Sequence, residues 1–187
     1  MGGAGGAPIP LGLCESPPAL LMSRAGSCTL DDALWHKTLS EAQLLEVALR
    51  LCRRVKEIHA KGVVHNDLKT NNIMLSADLD VHIIDFGLAS PEHALTKRDI
   101  QDCFPDWLAP EVLLGGGRNT FASDVYSVGH VLSEIHNEMG SPGDPRRGEG
   151  KFLEAIRSAM RRAPEERPTM RELISLMEAL KAESEIP

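Results

Sequence analysis

The feature that most constrains this chain is the run Val64-His65-Asn66-Asp67-Leu68-Lys69-Thr70-Asn71-Asn72-Ile73-Met74-Leu75, with Asp85-Phe86-Gly87 ten residues further on. An acid, a base and an amide (Asp67, Lys69, Asn72) share one polar loop between the apolar stretches Val63-Val64 and Ile73–Leu75. Those stretches read as short strands, and Val81–Ile84 pairs with the second across Ala77-Asp78-Leu79-Asp80. Asp85 then returns at hairpin distance. Such a set suits two tasks: drawing a proton from a hydroxyl, and holding a divalent metal on phosphates. A polar turn followed by an unrelated Asp-Phe-Gly turn is the bland alternative, and the joint offsets argue against it.

The surroundings are mostly helical. Ser40-Glu41-Ala42-Gln43 is a capping-box pattern. Leu44, Val47, Ala48, Leu51, Val55 and Ile58 follow at helical spacing, and Lys61-Gly62 ends the helix. Ser123 is expected to cap a helix carrying Val125, Val128, Val131, Leu132 and Ile135. Two more helices are expected at Phe152–Arg162 and Thr169–Glu185, the second opened by Thr169-Met170-Arg171-Glu172. Asp31–His36 suggests a brief helix, and Pro10–Cys14 with Ala19–Met22 a hairpin. Residues 1–8 read as a flexible Gly/Ala-rich tail, and Ala89–Trp107 as a long, functional loop.

A chain of 187 residues can bury one sizeable core. Its net charge of −7 gives no footprint for nucleic acid. Cys14, Cys28, Cys52 and Cys103 lack zinc-ligand spacing, so reduced thiols in a cytoplasmic or nuclear protein are expected. No stretch is apolar enough for membrane insertion, and a signal peptide is not apparent. Met1-Gly2 invites a myristoylation reading, but Gly6 stands where that motif needs Ser or Thr.

The opening run resembles the protein-kinase catalytic loop and its metal-binding Asp-Phe-Gly. Ala109-Pro110-Glu111 is similar to the motif that closes the activation segment. The resemblance implies an α+β, mainly α-helical fold: a protein-kinase-like C-terminal lobe with a short remnant β-hairpin of the N-terminal lobe. It covers residues 9–182, with remnant strands and hinge at 9–26, the helical lobe at 27–182 and a tail at 183–187. By resemblance, Asp67 takes the proton of a substrate hydroxyl, Lys69 meets the transferring phosphate, and Asn72 and Asp85 bind magnesium. Met22 would be the gatekeeper, Ser23 to Ala25 the hinge against adenine, and Met74 the adenine floor. His65, Phe86 and Gly87 would be structural, Asp124 would brace the catalytic loop through backbone N–H groups, and Arg167 would pair with Glu111.

The resemblance further implies ATP and Mg2+ as cofactors and a protein substrate or partner. Lys69 is similar to the serine/threonine type, although Phe104-Pro105-Asp106-Trp107 has a tyrosine-kinase flavour. Two departures matter. Residues 1–187 contain no G-x-G-x-x-G loop, and no strand lysine with a partner glutamate can be placed. Asn66 stands where the family usually has arginine, so phosphorylation at Ser90 or Thr96 would have little to order it. The expectation is a serine/threonine-type kinase impaired in this truncated form; a pseudokinase-like protein-binding scaffold is the alternative.

Overall fold

The computed structural model describes residues 3–95, 105–114, 118–139 and 150–184. The expected hairpin is present as β1 (Pro10–Glu15) and β2 (Pro18–Met22), antiparallel, with Leu13 opposite Leu20. β3 (Cys28–Thr29) leads into the short helix α1 (Leu30–Trp35), and α2 (Glu41–His59) follows. β3 joins β5 (Ile73–Leu75) and β6 (Val81–Ile83) in an antiparallel sheet, order β3-β5-β6. β4 (Val63–Val64) pairs antiparallel with β7 (Ser90–Pro91). The remaining helices are α3 (Pro110–Leu113), α4 (Phe121–Glu138), α5 (Lys151–Ala159) and α6 (Met170–Ser184).

The body is built on α2. Its apolar stripe, including Leu44, Val47, Leu51, Val55 and Ile58, is buried against α4, α6 and β6. Ser40 Oγ accepts from the Gln43 N–H and the Gln43 side chain accepts from the Ser40 N–H, so both halves of the capping box form. Thr169 and Glu172 make the same exchange ahead of α6. α4 lies so close to α5 that a Cβ on Gly129 would stand 2.7 Å from the Met160 side chain. Such packing of one apolar stripe per helix into a common core makes the fold mainly helical.

Two expectations need correction. Ser123 is not the cap of α4. Thr120 is the cap, and Ser123 sits three residues in, with each side chain bonding the other's backbone N–H. Nor do the described residues of the 1–8 segment form a loose tail. Residues 4–6 make a tight turn seated between α2 and β6. The Gly5 N–H donates to Glu57 Oε2 (2.9 Å), and the Gly6 carbonyl lies 2.9 Å from His82 Nδ1. A Cβ on Gly6 would meet the Val81 carbonyl at 2.6 Å, so glycine serves close approach here rather than looseness. The expected Gly/Pro-rich break at 140–150 and the middle of the Ala89–Trp107 loop, with Thr96, Cys103 and Phe104, lie largely outside the described residues.

Candidate active site

The loop between β4 and β5 is held from below by a carboxylate. Asp124, fully buried at the head of α4, accepts the N–H groups of His65 (Oδ2, 2.8 Å) and Asn66 (Oδ1, 2.9 Å). Its Oδ2 also meets His59 Nε2 at 2.9 Å. His65 turns its ring inward. The Asp67 N–H donates to Nδ1 at 3.3 Å, and Nε2 lies 3.0 Å from the Ile84 carbonyl. These partners call for a neutral ring protonated on Nε2. Burial pushes its pKa below the ordinary imidazole value, outweighing the Asp124 carboxylate. The ring also meets Phe86 edge-on, with centroids 4.8 Å apart, which ties the loop to the Asp85-Phe86-Gly87 turn.

Asp67 lies at the mouth of this arrangement, almost buried. Asn72 Nδ2 donates to its backbone carbonyl (2.8 Å) and to Oδ2 (3.0 Å). Lys69 Nζ is 3.0 Å from Oδ2 and 5.0 Å above the Trp107 ring, whose Nε1 donates to Oδ1 at 3.2 Å. Asp67, Lys69 and Asn72 are thus one cluster, and Trp107 belongs to it. Sequence reading noticed Trp107 only as a hint of substrate class, because its contact with Asp67 spans 40 residues. Asp85 is exposed, at φ 62°, with Oδ1 accepting the Gly87 N–H. The Ile84 N–H bonds to the Asn72 carbonyl (3.0 Å), which sets Asp85 beside Asn72 at the end of β6.

Two cavities flank the cluster. One, of about 420 Å³, is lined by Lys69, Asn72 and Trp107 with Asp31, His130 and Glu134. The other, of about 750 Å³, is mostly apolar; Met22, Ser23, Ala25, Met74, Asp85, Phe86 and Gly87 line it together with Ala7, Pro8 and Ile9. Hard oxygen donors at this junction are few. Among the described residues no three His, Cys, Asp or Glu side chains are grouped to hold a metal ion. Asn72 spends its amide N–H groups on Asp67, which leaves Asn72 Oδ1 and the exposed Asp85 carboxylate as the donors. That sparse set fits a magnesium ion that also takes phosphate oxygens and water, and would not cage a metal alone.

Away from the junction, Arg167 is fully buried and forked onto Glu111, Nη1 to Oε1 at 2.6 Å and Nη2 to Oε2 at 2.7 Å. Its other N–H groups reach the carbonyls of Arg161, Ala122 and Arg162, so every donor is used. The pair fixes the turn before α6 to α3, just after Trp107.

A helical lobe carrying this loop, the Asp85 turn and the Glu111–Arg167 clamp defines the protein kinase class. The family model for the protein kinase domain matches residues 16–177, and the chain belongs to the eukaryotic protein kinase family. It is similar to serine/threonine-protein kinase shk2 of Schizosaccharomyces pombe, 31% identical over 64% of this chain and 20% of that protein. Mitogen-activated protein kinase 12 of Mus musculus is 36% identical over 54% of this chain and 27% of its own length. Serine/threonine-protein kinase 10 of Danio rerio is 27% identical over 73% of this chain and 16% of its own. The chain therefore spans between 16% and 27% of the length of these relatives. Among the described residues no helix is long and apolar enough to cross a membrane.

Proposed function

We propose that the Asp67 loop carries out phosphoryl transfer from ATP to a serine or threonine hydroxyl of a protein substrate. One observation carries the reading: the Asp67 carboxylate is nearly buried and fixed by Asn72, Lys69 and Trp107, which line a polar cavity, while Asp85 lines an apolar one. Asp67 orients the acceptor hydroxyl and takes its proton. Lys69, within reach of the same point, balances charge on the transferring group. Magnesium, when bound with ATP, neutralises the phosphates, and Asn72 Oδ1 and Asp85 are the groups that would hold it. Met22, Ser23, Ala25 and Met74 offer an apolar slot suited to a flat base, with Ser23 Oγ accepting the Ile9 N–H to fix the strand ends. The serine/threonine preference takes support from Lys69 and from the similar proteins named above.

Residues 1–187 contain no G-x-G-x-x-G run, and among the described residues no strand carries a lysine; each phosphate donor lacking costs about 3 kcal/mol of transition-state stabilisation. By themselves they should transfer phosphate slowly and bind magnesium–ATP weakly. A radiolabelled ATP assay with a generic protein substrate, with Asp67→Asn as control, tests the reading. Slow labelling lost at least ~100-fold in Asp67→Asn supports it; labelling indifferent to Asp67→Asn refutes it. Brisk labelling or a tight thermal-shift titration would refute the impairment. A second reading, a protein-binding scaffold, draws on the exposed Leu11, Leu13 and Leu21 of the hairpin, and would leave partner capture unaltered in Asp67→Asn.

A further inference from the structure

The residue beside Asp67 has a task of its own. Asn66 lies at φ 67°, a left-handed conformation that asparagine tolerates better than most residues. Its backbone N–H is held by Asp124, which aims the side chain across β4 toward the segment that follows Asp85-Phe86-Gly87. There Nδ2 donates to the Leu88 carbonyl (2.8 Å) and Ser90 Oγ (3.1 Å), and lies 3.3 Å from the Val64 carbonyl. From the other side Asn119 Nδ2 donates to the same Ser90 Oγ at 2.9 Å. Ser90 Oγ in turn donates to the Pro91 carbonyl at 3.3 Å. A hydroxyl has one proton and two lone pairs, so the capacity of Ser90 is filled.

We propose that Asn66, Ser90 and Asn119 form an uncharged latch that holds residues 88–91 against the Asp67 loop, with Asn66 as a positioning residue, and that negative charge on Ser90 opens it. The side chains around the hydroxyl are suited to a neutral group. Asp124 lies behind Asn66, and Glu92, two residues on, points Oε1 at the Phe121 N–H. Among the described residues the cationic or protonatable groups near by are engaged elsewhere: Arg118 donates to the His93 carbonyl, the His93 ring lies 3.9 Å from Glu92 Oε2, and His59 meets Asp124. Two amide donors satisfy a hydroxyl well; they do not neutralise an anion set among carboxylates. The β4–β7 bridges and the Glu92 N–H on the Gly62 carbonyl continue the same seam in the backbone. The latch takes its purpose from the phosphotransfer reading and its existence from these hydrogen bonds.

Hydrogen exchange read by mass spectrometry on the whole 187-residue chain, without nucleotide, tests it. Asn66→Gly keeps the backbone angle and removes the amide; Ser90→Ala removes the hydroxyl. Each should speed exchange in 63–66 and 88–93 by about tenfold, as loss of one shared hydrogen bond implies, with α2 unchanged. The two together should add little beyond either alone. Ser90→Thr should restore protection, and Ser90→Asp should open the seam further than Ser90→Ala. In a Trp35→Phe background, Trp107 emission should shift with Asn66→Gly, because Trp107 is bonded to Asp67. Unchanged exchange in both Asn66→Gly and Ser90→Ala, failure of Ser90→Thr to rescue, or protection by Ser90→Asp would each overturn the latch. Should Asn66→Gly not fold, the Ser90 series decides alone. None of these readouts involves phosphate transfer, so latch and proposed reaction stand or fall separately.

Discussion

The β1–β2 hairpin and the helical body use the same residues to opposite ends. Leu11, Leu13, Leu20 and Leu21 are exposed, Leu13 by 75%, while Leu51, Ile58, Leu132 and Leu173 in the helices are fully buried. In the body, burial of apolar surface holds the structure together. The hairpin is held by its backbone ladder and by the Ile9–Ser23 bonds that close its open end. A two-stranded hairpin in water is marginal by itself. The difference means that the two regions should open independently, and that the floor of the apolar cavity is firm where its hairpin wall is not.

The harshest way to break the body while sparing the hairpin is Arg167→Ala. It leaves Glu111 without its partner and empties a site with every donor engaged, and should cost about 3–5 kcal/mol. Urea denaturation followed by helical circular dichroism measures this. Next come matched truncations that place the two regions on one scale. Leu132→Ala should cost ~2–5 kcal/mol because it leaves a cavity in the core, whereas Leu13→Ala should stay within ~0.5 kcal/mol of the parent. Similar losses at the two positions would erase the distinction.

Much of the body was legible because its signals are local. The capping pairs Ser40–Gln43 and Thr169–Glu172 and the stripe of α2 lie within a few residues of each other. The offsets among Asp67, Lys69 and Asn72 are local too, and the structure gathers all three. What was missed depends on distant partners. The 4–6 turn finds its seat on Glu57, Ile58 and His82, so its glycines read as slack until those neighbours are present. Asn66 read as a lost arginine, and its positive role appears only with Ser90, 24 residues away. Thr120 was passed over as a cap because Ser123 fills the position where glutamate or glutamine usually completes the box.

Acid gives a gentler separation. His65 is held neutral by burial, so its folded pKa lies below that of the unfolded chain. Below about pH 6.5 the unfolded chain binds a proton that the folded body refuses. Stability therefore rises with pH through that window and falls as pH drops, by up to ~1.4 kcal/mol per pH unit from this one group. Further down, Glu46 adds to the loss, since Lys181 and then Arg50 bond its carboxylate and hold its pKa below the ordinary value. The hairpin strands contain no histidine. Denaturation midpoints at pH 7.5 and 5.5 should differ for the body and lose this component in His65→Gln, while hairpin exchange, corrected for its intrinsic pH dependence, stays flat.

The smallest expected effect is the most local. Leu13 and Leu20 face each other across the ladder, and such a pair is worth about 0.2–1 kcal/mol to a sheet. Leu13→Thr brings in a β-branched residue that suits a strand but trims the apolar contact, so opening of residues 10–22 should become severalfold more frequent. Exchange at those amides reads the change. Because both side chains are exposed, global unfolding should not move with it. A shift in the global midpoint would mean that the hairpin is coupled to the body through more than residues 7–9 and 23–26, and that the apolar cavity is walled by one cooperative unit.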